Sequence, residues 1–385
     1  MSDPLRFGVI GAGAIAINAA LEHLSKEDVR DKAIITAICD PVPGRAKILA
    51  EKYKVPAAYL TVEELLADPN VDAVTICSPI GLHYQHGMAA IAAGKHVHFN
   101  KTMATTLAEC NDLIEAAKKK NVKIVASPGQ MLRPFHRRQR RLVASGALGI
   151  PIWASVGCAM SHYHTAEKVR SSQGPAGAIN PEWYYKKPGG GPLYDGAVYG
   201  LHSLTGLMGP VKRVVAMSGL VIKEREFEGK RIKCEMDDNT FAILDFGNSF
   251  FACLTAAVLG NFNEGYLPTI FGTKGTIRGT TFIPRLEGKG NAMFGDNGEP
   301  QNLALEGDHL PHVSGVHLTM KEQHVFEDMM QLVDWVKKGI PSIVTAEHAR
   351  HVIEIIEAIY KSAETGTVQT ITTTYTPLPP EACME

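Results

Sequence analysis

No stretch of this 385-residue chain approaches the ~18 uninterrupted apolar residues that a membrane helix requires, so no helical membrane span is expected. Charge of one sign is equally missing. Its 39 Lys+Arg stand against 40 Asp+Glu, and a net charge of −1 supplies no field to gather nucleic acid or an anionic bilayer. The 7 cysteines (39, 77, 110, 158, 234, 253, 383) are odd in number, far apart and without any Cys-x-x-Cys pair or metal-ligand spacing. That usage fits a reducing compartment, and the expectation is a cytoplasmic protein without a metal site. With 45% hydrophobic residues the chain is too apolar to be disordered. Single cores stop growing beyond roughly 250–300 residues, so two domains are expected.

What the chain has in excess is glycine: 36 residues, above the roughly 7% average, with no repeat to account for them. The useful question is which of them serve a sharp turn or a close backbone approach. The first cluster follows the apolar run 5–10 and reads Gly11-Ala12-Gly13-Ala14-Ile15-Ala16, after which residues 18–24 can continue as a helix. These glycines break the apolar stretch 7–21 where a secretory signal needs continuity. Strand, glycine turn and helix make a dinucleotide site. Gly11 forms the turn, Gly13 lets the backbone approach a diphosphate, Ala16 lets helix and strand pack, and the N–H groups from Ala14 and Ile15 onward receive the anion. A second strand-like run, 33–39, ends in Asp40, somewhat further from Gly13 than the usual ~20 residues because the polar stretch 25–32 lengthens the connection. A carboxylate there accepts hydrogen bonds from the ribose hydroxyls and repels a 2′-phosphate, which favours NAD over NADP. Arg45 nearby leaves NADP open, and a cap on the helix 45–54 is the other reading of Asp40.

Helix-like stretches 62–67, 82–93 and 107–120 then alternate with strand-like 73–77, 95–99 and 123–126. Such alternation means right-handed crossovers and a parallel sheet. Residues 1–128 are therefore read as a doubly wound Rossmann domain in an α/β protein. Residues 129–369 are read as a second, α+β domain, and 370–385 as a tail that extends over the surface or a neighbouring subunit.

Gly11-x-Gly13-x-x-Ala16, Ser78-Pro79-x-x-x-His83 and Gly94-Lys95-His96-Val97-His98-Phe99-Asn100-Lys101-Thr102 resemble the Gfo/Idh/MocA family, the glucose-fructose oxidoreductase and inositol dehydrogenase group. The likeness continues in Gly189-Gly190-Gly191-Pro192-Leu193-Tyr194-Asp195, in Gly272-Thr273-Lys274-Gly275 and in the late helix 346–360, and so spans nearly the whole chain. It implies a large open, mixed and mainly antiparallel sheet after the nucleotide domain, commonly a subunit interface, hence a homodimer or homotetramer. It also implies cofactor contacts from Ser78, Pro79, His83, Asn100 and Lys101. Where the family signature is Glu-Lys-Pro, this chain has Asn100-Lys101-Thr102. Where typical members have Asp and, four residues on, His, this chain keeps Asp195 and has Tyr199, similar to the glucose-fructose oxidoreductase and dihydrodiol dehydrogenase branch.

Asp195, Tyr199 and His202 follow i, i+4, i+7 and would share one face of a helix 195–208, delivered by the glycines at 189–191. Oxidising a secondary alcohol with NAD moves a hydride while a base near neutrality removes the hydroxyl proton. Lysine and tyrosine start from about 10.4 and 10, so either must come down by about 3, roughly 4 kcal/mol. The expected assignment is Lys101 holding the substrate oxygen, Tyr199 as acid/base and Asp195 orienting it or the substrate; Lys101 as base is the alternative. Ser161-His162-Tyr163-His164 offers Tyr163 and His164 as substrate contacts and no third ligand for a metal. Trp183, ending a polar Gly/Pro-rich segment, suits the C–H face of a sugar. The basic run 133–141 reads as a solvated helix face or, led by Arg133, an anion contact for the substrate. The leading function is an NAD-dependent dehydrogenase of a sugar, polyol or glycoside. Alternatives are NAD-dependent glycoside cleavage without net redox change, and a non-catalytic NAD-binding regulator.

Overall fold

A computed structural model of the chain describes residues 3–159, 180–261, 264–286 and 297–383. The strands β1 (Leu5–Ile10), β2 (Ala33–Cys39), β3 (Ala57–Tyr59), β4 (Ala73–Ile76), β5 (His96–Phe99) and β6 (Ile124–Ala126) form a parallel sheet in the order β3-β2-β1-β4-β5-β6. Their near-continuous apolar runs fit a sheet covered on both faces. Two of the helices between them, Val62–Ala67 and Leu107–Lys120, start at a side-chain cap: Thr61 and Thr106 close capping boxes with Glu64 and Glu109, respectively. Strand order reverses between β1 and β4, so a crevice opens beyond their carboxyl ends.

Among the described residues the second sheet has nine strands: β7 (Pro151–Ala159), β8 (Arg213–Gly219), β11 (Asn239–Gly247), β12 (Phe250–Ala257), β13 (Thr269–Gly272), β14 (Gly275–Arg278), β15 (Thr281–Pro284), β16 (Gln301–Asn302) and β17 (Gln369–Thr370). Of these only β7 and β12 pair in parallel; β9 (Glu224–Phe227) and β10 (Lys230–Lys233) form a separate hairpin. A hairpin at Gly247-Asn248-Ser249 joins β11 to β12. One face of the sheet buries Val214, Leu244, Ala252 and Leu254, on the side of the helices Val198–Met208 and Ala346–Thr365. The other carries Trp153, Val215, Met217, Phe241, Ile243 and Phe251, between 37% and 80% exposed, with Met217 opposite Phe241 and Val215 opposite Ile243.

Packing does not follow the sequence division at residue 128. Leu310, Val313, Phe326, Met329, Met330, Val333 and Val344 share one core with Leu5, Phe7, Val9 and Ile38. The helix Gln323–Lys338 thus returns to cover the first sheet, because its apolar stripe fits the face that β1, β5 and β6 leave open. The tail is tied to its own chain. β17 pairs with β8, the backbone and hydroxyls of Thr372 and Thr373 donate to the Glu354 carboxylate at 2.6–2.8 Å, and Tyr375 O–H donates to Thr205 O at 2.6 Å. The arginine run is likewise not a solvated face. Arg137 holds Met131 O, Arg138 forks onto Asp308, and Arg140 holds the carbonyls of Leu207 and Leu378.

One buried ion cluster fixes the returning segment. His312 contacts Glu327 at 2.8 Å through Nδ1 and Asp334 at 3.1 Å through Nε2, and Glu327 is 0% exposed. Burial opposes charge on the ring, but the hydrogen bond and charge of Glu327, with Asp334, outweigh it and hold His312 above the ordinary histidine value. The stabilisation is complete below the unfolded value near 6.5 and is lost as pH rises through the folded one. His312→Gln should cost about 1–3 kcal/mol at low pH, and the deficit should shrink toward alkaline pH. Denaturant midpoints of both proteins on either side of neutrality check this; a pH-independent deficit would refute it.

Candidate active site

The crevice at the strand-order reversal is a cleft of about 810 Å³. Its nucleotide end is lined by Gly11, Gly13, Ala14, Ile15, Asp40, Arg45, Ser78 and Pro79, and its far end by Asn100, Lys101, Trp183, Asp195, Tyr199 and Glu322. Gly11 has φ +88°, and a Cβ there would stand 2.9 Å from Ser78 N, so the β1 and β4 arms meet with no room for a side chain. At Gly13 a Cβ would meet nothing within 4 Å: the space belongs to the cleft. Asp40 accepts from Ala12 N and Val42 N at 2.9 Å each and lies 3.4 Å from Arg45 Nη1. It therefore holds the glycine turn in shape as well as facing the cleft. An open cradle at Gly13, the first helical turn behind it and a carboxylate at the end of β2 fit a dinucleotide's diphosphate and ribose.

At the far end, the Lys101 ammonium contacts the Asp195 carboxylate and donates to Asp195 O at 2.8 Å. Asp195, expected to orient Tyr199 or the substrate, thus holds Lys101. Asn100 Oδ1 accepts from Lys101 N at 2.9 Å and keeps the lysine backbone in place. Tyr199 stacks obliquely on Tyr266, and its Oη lies 3.1 Å from His324 Nε2. Burial first, then the Glu322, Asp195 and Asp328 carboxylates, push the Tyr199 phenol well above its ordinary value, against a smaller pull from Arg133.

Two expected site residues stand elsewhere. His83 is 1% exposed and clamps two loops, with Nδ1 2.6 Å from Thr102 O and Nε2 2.8 Å from Ser78 O; it supports the cofactor cleft from behind and does not line it. His202 is 3% exposed and packs at a tilt of 53° against His348, beside Gln130 and Met131. The cause is the wide-turn helix Leu193–Ala197, which rotates less per residue than an α-helix and turns His202 away from Asp195. Burial pushes the His202 ring down to about 3, which keeps it neutral. Arg133 lies close enough to Tyr199 and His324 to influence both, and its Nε donates to Gln130 Oε1 at 3.2 Å. Tyr163 and His164 lie outside the described residues.

Sequence reasoning missed the contribution of the returning segment. Glu322 lines the cleft beside Lys101, and His324 reaches Tyr199. Asp328, one turn further on, accepts from Ser127 Oγ at 2.5 Å and Gly129 N at 3.1 Å, and burial raises its carboxyl to about 7. Ser127 Oγ in turn lies 3.0 Å from His98 Nε2. None of these residues forms a motif. Their one sequence signal is a Glu-x-His pair opening an amphipathic helix.

Residues 5–127 match the model of an oxidoreductase family with an NAD-binding Rossmann fold, and residues 140–372 that family's C-terminal alpha/beta domain. The chain is 25% identical over 363 residues to a myo-inositol 2-dehydrogenase of Thermotoga maritima, covering 94% of this chain and 96% of that protein. It is 26% identical over 388 residues to a D-glucoside 3-dehydrogenase of Escherichia coli, covering 95% and 97%. Among solved structures, an NAD binding oxidoreductase from Klebsiella pneumoniae superposes with a TM-score of 0.75 at 21% identity, over 97% of this chain and 100% of that one.

The two motif glycines should separate fold from ligand. Gly13→Ala should leave the melting temperature nearly unchanged and weaken NAD binding at least ~10-fold, since the methyl enters space the diphosphate needs. Gly11→Ala should itself unfold the protein at lower temperature, by roughly 1–3 kcal/mol, because its methyl meets backbone. Calorimetric NAD titration together with thermal melts reads both; equal melting losses for the two variants would sink the distinction.

Proposed function

We propose, for a chain that belongs to the Gfo/Idh/MocA oxidoreductase family, an NAD-dependent dehydrogenase acting on a secondary alcohol of a sugar, polyol or glycoside. One observation carries this reading. Lys101 from the end of β5 meets Asp195 and Tyr199 from the second domain at one end of the cleft whose other end holds the glycine turn and Asp40. The names of the myo-inositol and D-glucoside dehydrogenases to which the chain is similar over nearly its full length support the substrate class.

Bound NAD supplies the hydride acceptor. Two of the three ammonium protons of Lys101 engage Asp195, so one remains to donate to the substrate oxygen and hold it. That is a donor's role, and it leaves the proton movement to Tyr199 Oη. Trp183 lines the same end and offers an apolar face to ring C–H groups.

Assembly and location belong to the same reading. The exposed apolar face around Met217, Phe241 and Phe251 suits a second copy of the chain, giving a homodimer or homotetramer. Seven free thiols, six of them buried, suit the cytoplasm. No described helix is long and apolar enough to cross a membrane.

A screen of NADH formation over myo-inositol, methyl glucosides and other polyols should identify turnover; release of an aglycone without net NADH would move the reading to glycoside cleavage. Lys101→Ala should lower kcat at least ~100-fold while NAD affinity persists, and near-normal turnover would remove its proposed role. Light scattering should give a mass of two or four chains, falling toward one for Met217→Lys/Phe241→Lys; a monomeric wild type would contradict the assembly.

A further inference from the structure

An alcohol dehydrogenation sheds a proton into a site with little capacity to store one. Tyr199 is buried, and the charges of Glu322, Asp195 and Asp328 raise its phenol further, so a standing phenolate is disfavoured. The geometry behind Tyr199 supplies an exit. We propose that the proton leaving the substrate hydroxyl passes from Tyr199 through His324 to Glu322, and from there to the solvent of the cleft. This rests on the reading of Tyr199 as the group that meets the reacting hydroxyl, and adds to it two residues from the opposite end of the chain.

Two contacts of unequal length join the three side chains. Tyr199 Oη lies 3.1 Å from His324 Nε2, with the two rings nearly perpendicular at 72°. On the ring's other side, Nδ1 lies 3.7 Å from Glu322 Oε2, outside hydrogen-bond distance. Catalytic hydrogen bonds are commonly long before substrate binds. Glu322 is itself a backbone outlier. A non-glycine residue with φ +55°, it sits at the N-cap of the helix Gln323–Lys338 and lines the cleft, its side chain 35% exposed. Holding a glutamate in a left-handed conformation at the mouth of the cleft is a conformational cost that a functional carboxylate would explain.

The surroundings make His324 a conductor and not a reservoir. Burial, then the positive charge of Arg133 and Lys101, and the His98 ring, push the imidazole down to about 3, so it stays neutral. A neutral ring has one N–H. If Nδ1 carries it toward Glu322, Nε2 is free to accept from Tyr199. Burial raises the Glu322 carboxyl above its ordinary value, against a smaller pull from Lys101, which makes it a better proton acceptor than a solvated carboxylate. In the oxidation the substrate O–H bond breaks and its proton goes to Tyr199 Oη as the tyrosine's own proton moves to His324 Nε2. The Nδ1 proton moves to Glu322 Oε2, the O–H electron pair closes the C=O bond, and the hydride leaves carbon for NAD. The opposite tautomer of His324 is set for the reverse reaction. His324 and Glu322 act through Tyr199 and are positioning residues in that sense.

Two measurements test the relay. Histidine ¹⁵N spectra of the whole protein, with the His324 signal assigned by its loss in His324→Gln, should show a neutral ring protonated on Nδ1; a ring protonated on Nε2 overturns the proposal, whatever the substrate. In steady-state assays with NAD and the polyol turned over in the screen above, Glu322→Ala and His324→Gln should lower kcat about 100-fold with KM and NAD affinity nearly unchanged. Added formate should restore Glu322→Ala in proportion to its concentration. Turnover within twofold of wild type in either variant, or a loss that formate does not relieve, overturns the relay. Tyr199→Phe separates the two levels: if it alone retains full turnover, the reading of Tyr199 fails, whereas a dead Tyr199→Phe beside active His324 and Glu322 variants condemns only the relay.

Discussion

The ammonium of Lys101 leaves the end of the first sheet and finds its partners in the second domain, on the carboxylate and the carbonyl of Asp195. Both side chains are largely withdrawn from water, 13% and 14% exposed. A pair so placed gives little net stability, since desolvation offsets its attraction, yet removing one partner is expensive, about 3–5 kcal/mol in comparable cases. Its effect is therefore geometric. The surrounding loop is fixed by three further bonds: Lys101 N to Asn100 Oδ1, the His83 ring to Thr102 O, and Tyr194 O–H to Thr105 O, the last crossing to the residue beside Asp195. The two halves of the cleft are held in register by contacts that converge within a few residues of the lysine.

Several residues that chemistry would recruit to a ligand are used to hold the backbone that meets the ligand. Asp40 binds the glycine turn through Ala12 N before any ribose is present, and His83 joins the loops after β4 and β5. Three arginines of the basic run hold backbone or carboxylate oxygens of the same subunit, Arg137 that of nearby Met131 and Arg138 and Arg140 those of distant segments.

The parallel sheet and its glycine turn were legible in the sequence because both are local. Strand, turn and helix follow one another within residues 5–24, and the alternation of periods continues to 126. Lys101, Asp195 and Tyr199 were marked by the resemblance of their surroundings to the family's motifs, and the structure brings the three together at one end of the cleft. His202 was misplaced because a periodicity argument assumes α-helical rotation, and residues 193–197 wind more widely. Glu322, His324 and Asp328 were invisible for another reason. They reach the site only because the helix Gln323–Lys338 packs back onto strands more than two hundred residues earlier, a tertiary event that no local pattern encodes.

That return also bears on how the chain can be made. Leu5, Phe7, Val9 and Val125 present an apolar face whose cover includes Phe326, Met329, Met330 and Val333. During synthesis, at roughly 5–20 residues per second, the first sheet's strands emerge long before this cover does. For many seconds the nascent amino-terminal half has all its strands and a bare greasy side. The apolar face of the first sheet is thus closed only once the helix Gln323–Lys338 has been made.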